Sequence, residues 1–214
     1  MNTLKIRQTI VDLCVELSRR GYLAGTGGNV ALRVDAEHFA VTPSATDYLT
    51  ISAADICVVR LSDLECIKGE RAPSVETGLH ARVLRRRSNV QCSIHTHQPV
   101  ASACALLGES LVVDDPQARA VIGRRVPLIG YMPSGTNLLA GMVERAIDPY
   151  INAYLMRNHG VLCCGASLEA AVQAVEELER VVYRHLFTRI SVRAAAEPKR
   201  AAALQRVLAA AELT

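Results

Sequence analysis

Val90-Gln91-Cys92-Ser93-Ile94-His95-Thr96-His97 is the stretch of this chain from which the fold can be worked out. The mainly apolar run over residues 90–94 predicts a buried strand, and two histidines separated by one residue follow it. Residues i and i+2 of a strand point to the same face, so His95 and His97 would aim two imidazoles at one point. A lone H-x-H pair recurs by chance, and two ordinary polar histidines are then the simpler interpretation.

A third histidine, His159, lies between two further predicted strands, Ala153–Met156 and residues 161–164. Three imidazoles from strand ends would form a metal site with one open position, which is typical of a catalytic rather than a structural zinc. Glu76, near a predicted helix start, adds a carboxylate that could transfer protons beside such a metal. Its alternative role is that of an ordinary first-turn acid favoured by the helix dipole.

Helices and strands alternate along the whole chain. Hydrophobic periodicity predicts helices over residues 6–17, 74–87, 99–107, 136–147, 168–190 and 201–213, and further strands over 30–34, 39–42, 56–61 and 127–131. Ser74 would cap the second of these helices. The alternation predicts one α/β domain over residues 1–214, in which helices cover a mainly antiparallel or mixed central sheet.

Composition excludes several classes of function. The chain has 214 residues with 50% hydrophobic content, enough for a full core. A net charge of +3, 4% aromatic residues and no tryptophan argue against a nucleic-acid partner. No apolar run approaches the roughly 18 residues of a membrane span. Seven cysteines without C-x-x-C spacing indicate small buried hydrophobes in a reducing compartment. We therefore expect a soluble, cytoplasmic protein with no membrane partner.

Three turns offer groups that suit an anion. Residues 25–29, Gly-Thr-Gly-Gly-Asn, precede a strand rather than a helix, which excludes a dinucleotide fingerprint or a P-loop. Their backbone N–H groups could still surround an anion. Hydroxyls follow in residues 42–45, Thr-Pro-Ser-Ala, and in Ser74 at a predicted helix start. Each is ordinary turn chemistry when taken alone, but three such turns around one metal candidate suit a small phosphorylated substrate.

In the order of its motifs the chain resembles the class II aldolase/adducin family. The motifs are the Gly-Gly-Asn turn, the Thr-Pro-Ser turn that leads to Tyr48, Pro-Ser-x-Glu at 73–76, His-x-His at 95–97 and Asn-His-Gly at 158–160. Their combination is highly specific, and the resemblance extends from the first helix to about Ile190. It implies an α/β/α sandwich with a mainly antiparallel central sheet. It also implies a homotetramer with active sites at the subunit interfaces.

The resemblance assigns roles to individual residues. It implies that His95, His97 and His159 bind Zn²⁺ or another divalent metal, and that Glu76 is the acid/base residue beside it. The positions that match the family's phosphate-binding residues are Gly28, Asn29, Ser44, Ala45, Ser74 and Val75. Two of these depart from the family pattern: glycine is usual where this chain has Ala45, and serine or threonine is frequent where it has Val75.

The resemblance implies a metal-dependent carbon–carbon lyase, an aldolase that cleaves a small phosphorylated keto-sugar through a metal-stabilised enediolate. The alternatives are an epimerase, dehydratase or decarboxylase acting on a sugar phosphate or an oxo-acid, and a non-enzymatic interaction module like the adducin head domain. Three histidines together with the glutamate argue for catalysis, because a scaffold needs no open metal site. Desolvation is expected to raise the pKa of Glu76 towards the working range. His80, one helical turn later, is expected to be structural or to support the site.

Overall fold

Seven helices and ten strands alternate along the described part of the chain, which is residues 3–23, 25 and 27–211 of a computed structural model. In chain order they are α1 (Leu4–Arg19), β1 (Asn29–Arg33), β2 (His38–Val41), β3 (Cys57–Arg60), β4 (Cys66–Lys68), α2 (Thr77–Arg86), β5 (Cys92–Thr96), α3 (Pro99–Ala105), β6 (Leu111–Val112), α4 (Pro116–Ile122), β7 (Arg125–Val126), β8 (Leu128–Ile129), α5 (Asn137–Ala146), β9 (Ala153–Met156), β10 (Gly160–Gly165), α6 (Leu168–Ala196) and α7 (Pro198–Ala211).

Eight of these strands form one central sheet in the order β4-β3-β2-β1-β5-β10-β9-β8. All neighbouring pairs are antiparallel except β8 and β9, which are parallel. β6 and β7 form a separate two-stranded sheet. At the centre, His95 of β5 pairs with Asn29 of β1 on one side and with Leu162 of β10 on the other. The predicted mainly antiparallel central sheet is confirmed.

Helices cover both faces of the sheet, because successive strand side chains point to opposite faces. One cluster of buried residues joins α1, α3 and α6 to one face and includes Ile94 and Cys163. The other cluster joins α2 and α5 to the opposite face and includes Leu162 and Cys164. Each fully buried side chain of the size of Ile94 stabilises the fold by about 1.5–3 kcal/mol relative to exposure. The arrangement is the helix–sheet–helix sandwich that the resemblance implied.

The helices form where apolar residues recur at helical spacing and where the ends carry capping residues. In α1 the buried residues Ile10, Leu13, Cys14 and Leu17 recur at helical spacing and lie on the core side. α6 is capped by Ser167, whose hydroxyl accepts a hydrogen bond from the Ala170 N–H. α6 has 29 residues and extends beyond the predicted end at residue 190 to Ala196, which adds about 1.7 turns. None of the helices in the described ranges combines the length and apolar character needed to span a bilayer.

The predicted bounds of β5 and the predicted start of α2 are wrong. β5 runs over Cys92–Thr96 rather than residues 90–94, because its backbone pairs with strands on both sides beyond the apolar run. Ser74 does not cap α2. The helix begins at Thr77, and the Ser74 hydroxyl instead accepts a hydrogen bond from the Glu76 N–H. Residues 74–76 are therefore a turn before the helix.

Other parts of the sequence prediction were incomplete. β4, β6, β7 and α4 were not predicted, and Cys66 on β4 is exposed although the other six cysteines are buried. α7 ends at Ala211 among the described residues, so the last part of the predicted helix over 201–213 lies outside them. A single domain over residues 1–214 stays a prediction.

Candidate metal centre

The candidate residues meet at one edge of the central sheet. His95 lies near the end of β5 and His97 directly follows that strand, while His159 occupies the turn between β9 and β10. β1 begins at this edge with Asn29, which is paired with His95. Glu76 directly precedes α2 at the same edge. The antiparallel register therefore brings together residues that are far apart in sequence.

The three histidines aim the same ring nitrogen at a common point. His95 Nε2 lies 3.0 Å from His97 Nε2 and 3.1 Å from His159 Nε2. Two nitrogens bound at about 2.05 Å to one tetrahedral Zn²⁺ would lie about 3.3 Å apart. The Nε2 spacings therefore fit a single shared cation. The His95, His97 and His159 nitrogens are the only such cluster of three potential ligands among the described residues.

The orientation of His95 is fixed by the backbone of the neighbouring strand. Its Nδ1 lies 2.7 Å from the Val161 carbonyl oxygen, which can only accept a hydrogen bond. The ring proton therefore sits on Nδ1, and the lone pair of Nε2 faces the cluster. Burial lowers the pKa of His95 to about 3. The pKa of His97 is also lowered, mainly by burial and to a smaller extent by the nearby His159. Both rings are neutral near pH 7, which is the form that binds a metal.

Gly160 is required for the close approach of these rings. A Cβ atom at this position would lie 2.5 Å from the Thr96 carbonyl oxygen and 2.6 Å from His97 Cδ2. It would also lie 3.0 Å from His95 Cε1. Since contacts under 3.0 Å require something to shift, any larger residue here would displace backbone or a histidine ring. The glycine of the Asn-His-Gly motif thus has a packing role.

Glu76 lies against the histidines and is held at both oxygens. Its Oε1 is 2.8 Å from His159 Nε2 and accepts a 2.9 Å hydrogen bond from the Ser134 hydroxyl. Its Oε2 accepts a 2.8 Å bond from Asn29 Nδ2 and lies 3.3 Å from His95 Nε2. Burial by itself raises the pKa of Glu76, but its contacts with His159, His95 and Asn29 hold this pKa well below the usual carboxyl value. The expected rise in this pKa is therefore wrong, and Glu76 is ionised near neutral pH.

All six residues predicted to bind a phosphate line one cavity of about 290 Å³. They are Gly28, Asn29, Ser44, Ala45, Ser74 and Val75. Glu76, His97 and His159 line the same cavity. Its volume lies near the lower end of the range for small-molecule sites. The structure thus brings the metal candidates and the predicted anion-binding turns together in one place.

The lining groups differ in what they can offer. The Asn29 side chain is engaged by Glu76. The Tyr48 hydroxyl donates a 2.5 Å hydrogen bond to the Gly28 carbonyl and so fastens the Thr-Pro-Ser turn to the glycine turn. Ala45 has a φ of +47°, a left-handed conformation that costs about 1–2 kcal/mol in a residue with a side chain. Val75 is 66% exposed and presents an apolar side chain to the cavity.

Ser134 is the residue of this site that sequence analysis did not find. It lies in the loop of residues 130–136 between β8 and α5, and it also lines the cavity. Because β8 and β9 are parallel, their carboxyl ends open towards the same edge of the sheet, and this loop meets the His159 turn there. A single serine between Pro133 and Gly135 carries no motif. The sequence offered only a hydroxyl just before a helix, the same context as Ser74.

The chain belongs to the family described as class II aldolase and adducin N-terminal domain, whose model matches residues 8–186. The resemblance inferred from the motifs and the predicted fold class are thereby confirmed. A 5-deoxy-D-ribulose 1-phosphate aldolase from Bacillus thuringiensis is 32% identical over 181 residues, covering 82% of this chain and 81% of that protein. An L-fuculose phosphate aldolase from Methanococcus maripaludis is 29% identical over 171 residues, covering 80% and 91%. The solved structure of an L-fuculose 1-phosphate aldolase has a TM-score of 0.81 at 29% identity and covers 86% of each chain.

Proposed function

We propose that this protein is a metal-dependent aldolase that cleaves a small phosphorylated ketose, such as L-fuculose 1-phosphate or 5-deoxyribulose 1-phosphate. The observation that carries the proposal is the meeting of three imidazole Nε2 atoms and the Glu76 carboxylate in a cavity that is also lined by the anion-binding turns. Sequence relatives named as aldolases of two such sugar phosphates support it.

His95, His97 and His159 would hold one divalent cation, which we propose to be Zn²⁺. Neutral imidazoles with one position left open are the ligand set of catalytic zinc, although other divalent ions bind nitrogen ligands as well. A cation at this point would supply Lewis-acid stabilisation of negative charge on the substrate oxygens. The tautomer that Val161 imposes on His95 supports the proposal, because it keeps the Nε2 lone pair available.

Glu76 would transfer the proton of the reaction. As an ionised carboxylate in the cavity it can accept the proton of the substrate hydroxyl while the neighbouring carbon–carbon bond breaks and the aldehyde forms. It can then return that proton to the carbon of the ketone fragment that the broken bond leaves. Hydrogen bonds from Asn29 and Ser134 fix the two carboxylate oxygens, so the base is oriented before the substrate arrives.

The substrate phosphate would be held by the turns that line the cavity. The hydroxyls of Ser44 and Ser74 can donate hydrogen bonds, which are worth about 0.5–1.5 kcal/mol each to a neutral acceptor and more to a charged one. Val75 and Ala45 offer fewer polar groups than the family pattern. A non-phosphorylated hydroxy- or oxo-acid is therefore the rival substrate class.

A product screen tests the proposal. The purified protein, loaded with Zn²⁺, is incubated with a panel of ketose 1-phosphates, and release of an aldehyde together with dihydroxyacetone phosphate is measured. We expect the two products in equal amounts. If other products form instead, the protein is not an aldolase: an epimer would indicate an epimerase, a dehydrated ketose a dehydratase, and carbon dioxide a decarboxylase. Absence of every product from the metal-loaded protein would favour the adducin-like interaction module.

We further propose a homotetramer. Family membership supports it, and so do large apolar side chains that are exposed in the single chain, among them Val112, Leu138 and Tyr150. Light scattering that reports a monomer at micromolar concentration would contradict this assembly. The seven free cysteines suit a reducing compartment, so we also propose a cytoplasmic location, to be checked by cell fractionation.

A further inference from the structure

A chain of buried polar side chains leads away from Glu76 into the protein. Asn29 Nδ2 donates to Glu76 Oε2 at 2.8 Å, and Asn29 Oδ1 lies 2.5 Å from His80 Nε2. On the other side of the ring, His80 Nδ1 lies 2.8 Å from the Ser93 hydroxyl. Asn29 is 4% exposed, and His80 and Ser93 are fully buried. We call Ser93, His80 and Asn29 the relay.

The orientation of the Asn29 amide fixes the direction of every hydrogen bond in the relay. The amide nitrogen, which can only donate, faces Glu76 Oε2, and the amide oxygen faces His80 Nε2. That oxygen can only accept, so His80 must carry a proton on Nε2. Burial lowers the pKa of His80 to about 4, which makes the ring neutral near pH 7. Nδ1 is then an acceptor, and the Ser93 hydroxyl must donate to it.

The relay prevents the Asn29 amide from turning over. An amide rotated by 180° would place its oxygen against a Glu76 oxygen and its NH₂ group against the His80 Nε2–H. Both hydrogen bonds would be lost in a buried environment, where no water replaces them. The His80 tautomer therefore determines which group of Asn29 meets the carboxylate.

We propose that His80 is a positioning residue of the reaction and that Ser93 holds the His80 ring through the hydrogen bond to its Nδ1. By fixing the Asn29 amide, His80 keeps Glu76 Oε2 as a permanent hydrogen-bond acceptor. Oε1, which contacts Ser134 and His159, is left as the oxygen that receives the proton from the substrate hydroxyl and returns it to carbon. The inference rests on the proposed function, because it assigns a support to the acid/base role of Glu76.

Kinetics of two substitutions at His80 test this role. His80→Leu keeps a buried side chain but removes the donor to Asn29. We expect kcat to fall by roughly tenfold to a hundredfold, because the Asn29 amide is then free to turn and its hydrogen bond to the Glu76 carboxylate, a charged group, is no longer enforced. KM and metal content should stay near the wild-type values. His80→Gln can still present an N–H group to Asn29, and we expect it to restore most of the lost kcat.

A matched control separates positioning from loss of packing. Val83 is 1% exposed and lies in the same helix, and we give it no role in the site. Val83→Ala should lower Tm without lowering kcat. The inference is overturned if His80→Leu keeps the wild-type kcat, or if His80→Gln loses as much activity as His80→Leu. A wild-type protein that cleaves no ketose phosphate would instead reject the proposed function, and this inference with it.

The His80 tautomer can be observed without any turnover. In protein labelled with ¹⁵N-histidine, the chemical shifts distinguish a ring protonated on Nε2 from one protonated on Nδ1, and the His80 signals are identified by their loss in His80→Gln. We expect His80 to be protonated on Nε2 in the metal-loaded protein near pH 7. A proton on Nδ1 would reverse the relay and overturn the inference.

Discussion

The histidine cluster and the rim of the cavity lie side by side but are built by different means. The cluster (His95, His97 and His159) is set by paired strands and by a glycine that leaves no spare space. The rim, which we define as Ser44, Ala45 and Val75, consists of turn residues, and Val75 is 66% exposed. His95, in contrast, is fully buried.

The cluster should therefore determine which reaction the site catalyses, and the rim should determine which substrate it selects. Hydrogen-bonded strands hold the cluster to a fixed geometry, because His95 lies in β5, which is paired on both sides, while His97 directly follows β5 and His159 directly precedes β10. Turn residues at the surface can change without that consequence, and they are the usual place where specificity varies. Substitutions in the cluster should therefore abolish the chemistry, whereas substitutions in the rim should change affinity or stability.

The largest effect is expected at His159. In His159→Ala two imidazoles remain, too few to hold the cation, so metal content and activity should both fall to background. Metal analysis of the dialysed protein and the cleavage assay measure the two quantities. Full metal occupancy in this variant would contradict the ligand assignment and remove the distinction between cluster and rim.

The next largest effect is expected at Glu76. Glu76→Gln keeps the shape of the side chain but cannot accept a proton, so turnover should fall by roughly 10²–10⁴-fold while the metal stays bound. Steady-state kinetics and metal analysis on one preparation check both halves of this prediction. Unchanged turnover would reduce Glu76 to a helix-start acid and place the base elsewhere.

A smaller effect is expected at Val75 in the rim. Val75→Ser adds a hydroxyl beside the predicted phosphate site, so the preference for a phosphorylated substrate over its unphosphorylated twin should rise by roughly threefold to tenfold. Val75→Ala is the matched control, since it shortens the side chain without adding a donor. Equal turnover of the phosphorylated and the unphosphorylated substrate, in both the wild type and Val75→Ser, would reject the phosphate pocket. It would favour a hydroxy- or oxo-acid as the substrate.

The smallest effect is expected at Ala45 and concerns stability. Ala45→Gly relieves a residue at φ +47°, so the free energy of unfolding should rise by about 1 kcal/mol. For a chain of this size that corresponds to a Tm increase of about 2–4 °C. Ala45→Ser keeps a Cβ atom and should show no gain. A lower Tm in the glycine variant would mean that the Ala45 methyl group makes stabilising contacts.

The sequence predicted the central fold well where burial and periodicity agree. Alternation and helical spacing were enough to find α1, β1 and β2. The apolar run also located β5, but it missed the strand's last two residues, because His95 and Thr96 are polar although both are fully buried. A hydrophobic pattern cannot mark strand residues whose burial has a functional reason.

Other features escaped prediction for different reasons. The three residues of β4 are all exposed, so no apolar pattern marks that edge strand. α4 did carry a signal, since Asp115 caps it through the Gln117 N–H and Pro116 opens it, but its seven residues show no sustained periodicity. The contact of Ser134 with Glu76 depends on the parallel pairing of β8 with β9 across the intervening helix α5, which a single sequence does not reveal.

The parallel pairing of β8 with β9 has a consequence for how proteins of this kind can diversify. The loop that follows β8 reaches Glu76 from the end of the sheet, and β9 and β10 separate β8 from the strand that carries His95. A longer or recombined segment between Gly130 and Thr136 could therefore reshape the entrance while the strands bearing the cluster keep their register. A gene library confined to this segment, with Ser134 kept because it holds Glu76, would sample new substrates while the residues that carry the chemistry stay unchanged.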